Sequence, residues 1–158
     1  MKRRVIIGIA ELAVETSPII IVTLGLGSCV GVTMYDPYKK IGGMIHIMIS
    51  NSRGDPRGKP AKFADTGVPL LLSKVIERGV DKNNLIVKIA GGAKMFGNHV
   101  PTLNVGGKNV DAVKKSLKDL GLKINAEDTG GNRGRTIELY LETGELVVKS
   151  IGKEVKRI

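Results

Sequence analysis

The sequence predicts an α/β or α+β domain in which a mixed, largely antiparallel sheet system carries two main helices. Two apolar runs, 30–35 and 43–49, flank the turn-forming stretch Asp36-Pro37-Tyr38-Lys39-Lys40, and that pattern is the signature of an antiparallel hairpin. Ala64, Val68, Leu71, Leu72, Val75 and Ile76 recur at helical spacing, as do Val110, Val113, Leu117 and Leu120. A chain of 158 residues that is 42% hydrophobic and 25% charged can bury one sizeable core, so a single domain over 1–158 is expected. Aromatics make up only 3%, so that core must be aliphatic.

In chain order, Val5-Ile6-Ile7-Gly8-Ile9 reads as an opening strand followed by a mixed run to Val14, and Ser17-Pro18 punctuates before the strand from Ile19 to Leu24. After the hairpin, residues 50–59 hold Gly54, Pro56 and Gly58 and read as an exposed loop. The first helix stops at Gly79, and Pro69 restricts it to a start near that residue or to a kink. Leu85 to Ala90 forms a strand ending in Gly91-Gly92, which reads as a turn. The second helix runs to Leu120 and is capped by Gly121, with Lys114, Lys115 and Lys118 outward. Leu122 to Ala126, Thr136 to Leu141 and Glu145 to Ile151 complete a set of about eight strands, the last two joined at Thr143-Gly144. The tail 153–158 is expected to fray.

The chemistry centres on Thr23-Leu24-Gly25-Leu26-Gly27-Ser28-Cys29, where the only cysteine follows a glycine-rich turn. Glycines let backbone N–H groups turn toward a bound oxygen, so the amides near Gly27 and Ser28 are candidate oxyanion donors beside the sulfur. If Asp36 opposes Ile41, opposed residue numbers in the hairpin sum to 77, and His46 faces Gly31, diagonal to Cys29. Parity then puts Cys29, Gly31, Thr33, Met44, His46 and Met48 on one face, with Gly31 leaving room between thiol and imidazole. A cysteine that can pass its proton to an imidazole becomes a nucleophile at neutral pH. Thr23, at the end of the run 19–22, offers a hydroxyl to orient that imidazole. On residue type alone, a buried thiol is more often structural; the combination with the turn and a same-face histidine favours catalysis.

Composition limits the alternatives. The +10 net charge favours an acidic partner, but basic residues form no dense block, and three tyrosines and two phenylalanines offer little to stack bases. Nucleic acid is therefore not an expected partner. His99 has no second histidine or cysteine pair at metal spacing, and no glycine-rich segment has the context of a nucleotide loop, so neither metal nor cofactor is expected. One cysteine, no secretory h-region at 1–9 and no apolar run of membrane-spanning length point to the cytoplasm, with membranes reached only through a partner.

The stretch T-L-G-L-G-S-C-V from Thr23 to Val30, with His46 seventeen residues after Cys29, resembles the chemoreceptor glutamine deamidases of the CheD family. Further similar blocks are Gly91 to Phe96, Asn104 to Val110 and Asp128 to Arg135, in family order. In the second of these the family carries a charged pair before asparagine, where this chain has Gly107-Lys108 before Asn109. The resemblance implies a layered α/β sandwich with an active site at a sheet edge, and Cys29, His46 and Thr23 as nucleophile, base and third triad member. It also implies methyl-accepting chemotaxis receptors as substrates, methyl-ester hydrolysis as a further activity, and a CheC-type phosphatase as regulator. Arg53, Arg57 and Lys59, on the loop after the His46 strand, are candidate receptor-binding residues. A non-catalytic module that docks chemotaxis proteins is the alternative.

Overall fold

The computed structural model of the chain describes residues 2–95 and 104–158. These residues form ten strands: β1 (Arg4–Ile7), β2 (Leu12–Thr16), β3 (Ile20–Leu26), β4 (Val30–Asp36), β5 (Ile41–Ile47), β6 (Ile86–Gly91), β7 (Ile124–Thr129), β8 (Arg135–Tyr140), β9 (Leu146–Lys149) and β10 (Lys156–Arg157). Two α-helices accompany them, α1 (Ala64–Glu77) and α2 (Val105–Asp119). The strands make two five-stranded sheets, one ordered β1-β3-β8-β9-β10 and the other β2-β5-β4-β6-β7. Both are mixed, with β1 parallel to β3 and β6 parallel to β7 among otherwise antiparallel pairs. The α+β layered fold expected from the sequence is the one observed.

The β4–β5 hairpin is the centre of the second sheet, and its register is the one derived from the turn: Asp36 pairs with Ile41, Gly31 with His46 and Val30 with Ile47. The Asp36 carboxylate accepts the N–H groups of Tyr38 and Lys39, which closes the turn. Alternation along these strands feeds two cores. Val30, Val32, Met34, Ile45 and Ile47 pack with Val68, Leu71 and Val75 of α1 and Val113 and Leu117 of α2. On the opposite face Cys29, Tyr35, Met44 and Ala90 meet Ile21, Leu26, Ile137 and Leu139 of the first sheet. The layers are therefore sheet, sheet and helix pair, each interface closed by aliphatic side chains.

A bulge in β3 places its last residue. Thr23 pairs with Ile137 and Leu26 with Arg135, so three steps on β3 match two on β8, around Gly25 at φ +68°. The extra residue reverses the alternation and turns Leu26 inward, where it is fully buried. That burial is worth roughly 1.5–3 kcal/mol.

Several expected elements move. A separate strand, β2, forms from what reads as a mixed run, because residues 12–16 pair with 41–45 at the sheet edge. The tail does not fray throughout, since Lys156 and Arg157 pair with Val148 and Val147. Helix α1 runs through Pro69, and α2 begins at Val105, ahead of its first apolar marker. His99 lies outside the described residues. No described helix is long and apolar enough to cross a membrane.

Candidate active site

The glycine-rich turn carries the chain from one sheet to the other: β3 ends in the first sheet and β4 starts in the second. Thr23 and His46 thus come from opposite layers and meet in the inter-sheet core, both fully buried. His46 Nδ1 lies 2.8 Å from Thr23 Oγ1. The Thr23 hydroxyl donates its single proton to the Ile7 carbonyl at 2.8 Å, so the contact with His46 must be Nδ1–H donating to Oγ1. The tautomer follows. Nε2 carries the lone pair, and it is buried without a hydrogen-bond partner among the described residues.

Cys29 stands two residues before Gly31 on the same face, with 8% of its surface accessible. Burial pushes its thiol above the ordinary value and pulls the His46 imidazole below its own. Both shifts favour the neutral forms, thiol and imidazole, and the two groups share no hydrogen bond. Gly31 does not make room between the two side chains either. A Cβ there would sit 2.5 Å from Ile137 Cδ1, so the missing side chain admits the opposing sheet.

Around the turn the backbone is closely braced. Gly92 N–H donates to the Cys29 carbonyl at 2.8 Å and Ala93 N–H to the Gly27 carbonyl at 2.9 Å. Gly91, at φ +115°, would place a Cβ 2.3 Å from the Cys29 carbonyl oxygen, so only glycine lets β6 approach. The Gly91-Gly92 pair read from the sequence as a plain turn is the backing of the cysteine turn. Helix α2 closes on it from behind, with Gly106 against the Ala93 and Gly92 carbonyls. Of the two expected oxyanion positions, Gly27 spends its N–H on Gly25 at 3.0 Å. The N–H groups of Ser28 and Cys29 donate to no acceptor among the described residues.

One residue of the Asn104 to Val110 block has no role assigned from the sequence. Asn109 of α2, fully buried, donates through Nδ2 to the Ser28 carbonyl at 2.9 Å and the Met48 carbonyl at 3.0 Å, and accepts from Ser50 Oγ at 2.8 Å. Its signal was there: Gly106, Asn109, Val110, Val113, Ser116 and Leu117 make the buried stripe of α2, and a polar residue on such a stripe needs partners.

The loop residues Arg53, Arg57 and Lys59 are all exposed, and none makes a salt bridge among the described residues. Arg53 and Arg57 take positive φ, and their N–H groups are held by Asn51 and Asp55. Asp65 ties the loop to α1 by accepting from the backbone and hydroxyl of Ser52. Among the described residues no group of His, Cys, Asp and Glu is placed to hold a metal ion.

Residues 48–150 match the model of the family described as CheD chemotactic sensory transduction. The chemoreceptor glutamine deamidase CheD of Thermotoga maritima is 51% identical over 147 residues, covering 93% of this chain and 92% of its own. A probable chemoreceptor glutamine deamidase CheD of Caldanaerobacter subterraneus is 49% identical over 156 residues, 96% of each chain. Its namesake in Pyrococcus horikoshii is 44% identical over 160 residues, 99% of each. Similarity of this extent, on top of the turn, hairpin and glycine blocks in order, settles the family: the chain belongs to the CheD family.

Proposed function

We propose that this protein is a glutamine deamidase that hydrolyses side-chain amides of methyl-accepting chemotaxis receptors through Cys29, His46 and Thr23. The observation that carries the reading is the Thr23–His46 hydrogen bond: with the hydroxyl proton committed to Ile7, it leaves a bare, buried Nε2 on the face that holds the lone cysteine. An imidazole nitrogen whose lone pair meets no partner inside an aliphatic core supports a catalytic use over a structural one.

In this reading the Cys29 sulfur bonds to the carboxamide carbon as its proton passes to Nε2. The oxyanion is met by the unspent Ser28 and Cys29 N–H groups. The imidazolium returns the proton to the departing nitrogen, which leaves as ammonia, and a thioester remains. Water then attacks with His46 again as base, releasing glutamate and the free thiol. A methyl ester fits the same sequence with methanol as leaving group, so receptor methylesterase activity is part of the proposal. No step calls for a cofactor.

Receptors and a CheC-type phosphatase are the proposed partners, the cytoplasm the proposed compartment, and Arg53, Arg57 and Lys59 the proposed first contacts with an acidic receptor helix. A docking module with an inert thiol is the second reading, favoured only by the burial of Cys29. Incubation with a receptor separates them. Peptide mass spectrometry should find a gain of about one dalton at specific glutamines, as NH2 gives way to OH, with wild type but not with Cys29→Ala. Unmodified receptor in both reactions would leave the docking reading.

A further inference from the structure

We infer that Asn109 is a positioning residue that sets the separation and aim of the Cys29 and His46 strands. The inference rests on the catalytic reading just given and adds a residue to it. Asparagine is a poor choice inside a helix, and α2 accommodates it fully buried at the fifth position from its start. What it provides lies outside the helix. The β4–β5 ladder ends at Val30 and Ile47, and the next opposed pair would be Cys29 and Met48. There the strands part: Met48 N–H goes instead to the Lys62 carbonyl at 2.9 Å. The Asn109 carboxamide spans the opening fork, one N–H to Ser28 and the other to Met48, replacing ladder bonds that the parting strands cannot make.

Its orientation is fixed by its partners. Two carbonyl oxygens require the NH2 end, while the Ser50 hydroxyl donates to Oδ1 at 2.8 Å. Holding the Ser28 carbonyl toward α2 also turns the Cys29 N–H the other way, because the two are trans across one planar peptide. One side chain thus sets both the gap between nucleophile and base and the direction of an amide offered to the oxyanion. The neighbouring Lys108, where the family block differs, has no such connection among the described residues.

A double-mutant cycle read by alkylation of the full-length protein tests this. The ratio of Cys29 iodoacetamide rates in wild type and His46→Ala measures the coupling of thiol and base, expected at about tenfold or more. In an Asn109→Asp background, where a carboxylate oxygen opposes the two carbonyls, that ratio should collapse to within about twofold of one. Asn109→Ala, neutral and favourable to helix, serves as the second variant where the buried carboxylate prevents folding, and circular dichroism fixes the folded fraction. On receptor substrate the folded variants should lose about 10–100-fold in kcat with KM within about threefold, the pattern of misaligned chemistry rather than lost binding. A folded Asn109→Ala with wild-type coupling and wild-type kcat per folded molecule would overturn the inference while leaving Cys29 and His46 in place. A wild-type ratio of one would instead remove the pair itself, and the positioning role with it.

Discussion

Replacing Thr23 by valine removes one hydroxyl and nothing else of size, in a side chain that is fully buried between the sheets. Two bonds go with it, the one given to the Ile7 carbonyl and the one accepted from His46 Nδ1. A buried donor left without an acceptor costs about 1–3 kcal/mol. At about 2–4 °C per kcal/mol for a domain of this size, Tm should fall by roughly 2–12 °C. Moving the imidazole proton to Nε2 brings no relief, because Nε2 is itself buried without a partner among the described residues. With Thr23 Oγ1 gone nothing holds the proton on Nδ1 or fixes the ring, so the base is no longer pre-set and the rate should fall by about 10²–10³ even where the protein is fully folded. Thr23→Ser keeps the oxygen and should retain activity within about tenfold of wild type. Single-turnover deamidation well below Tm separates the catalytic loss from the stability loss, and nitrogen NMR of His46 reports the tautomer. Equal activity of the valine and serine variants, or a wild-type imidazole protonated at Nε2, would refute the reasoning.

The pH dependence follows from burial. His46 titrates below the ordinary imidazole range and Cys29 above the ordinary thiol range, both through desolvation, so kcat/KM should rise to a plateau at a pH below about 6.5 and hold it beyond the usual thiol value. The stability contribution of neutral His46 is complete above the unfolded value of about 6.5 and is lost as pH falls through the folded one, which acid titration of ΔG should display and His46→Ala should abolish. Gly91→Ala forces a Cβ into the Cys29 carbonyl at a φ of +115°, and should cost more than about 1–3 kcal/mol along with most of the activity, measured by denaturant unfolding and deamidation; wild-type stability would mean the turn yields freely. Neutralising Arg53, Arg57 and Lys59 together should lower kcat/KM on intact receptor as added salt does, yet spare a small neutral ester. Equal loss on both substrates would remove the loop from docking.

Local chemistry made half of this site legible. The Asp36 turn and period-2 alternation sufficed to pair Gly31 with His46 and to put Cys29 on the same face, because register and parity are short-range properties of one hairpin. Thr23 was placed beside the turn by sequence proximity, but its position in the opposite sheet depends on β3 pairing with β1 and β8, partners far apart in sequence. Sequence spacing also misassigned two glycines. Gly31 and Gly91 answer to Ile137 and the Cys29 carbonyl, contacts made by other strands. The start of α2 was hidden because Gly106 and Gly107 are weak helix formers, retained where a Cβ at Gly106 would meet the Ala93 carbonyl at 2.2 Å. Asn109 stands in a block named from the sequence, but its burial was not legible because a period search counts polar residues as the exposed side. The raised thiol and lowered imidazole values depend on burial between sheets, which no motif encodes.

The central claim is that Cys29 carries a covalent intermediate, and an acid-quenched intact-mass measurement tests it most directly. Mixed with a receptor peptide bearing a target glutamine and quenched within the first turnover, the wild-type protein should gain the mass of the peptide less ammonia, located at Cys29 and absent from Cys29→Ala. Glutamate formation with no adduct at any quench time, together with an active Cys29→Ala variant, would contradict it.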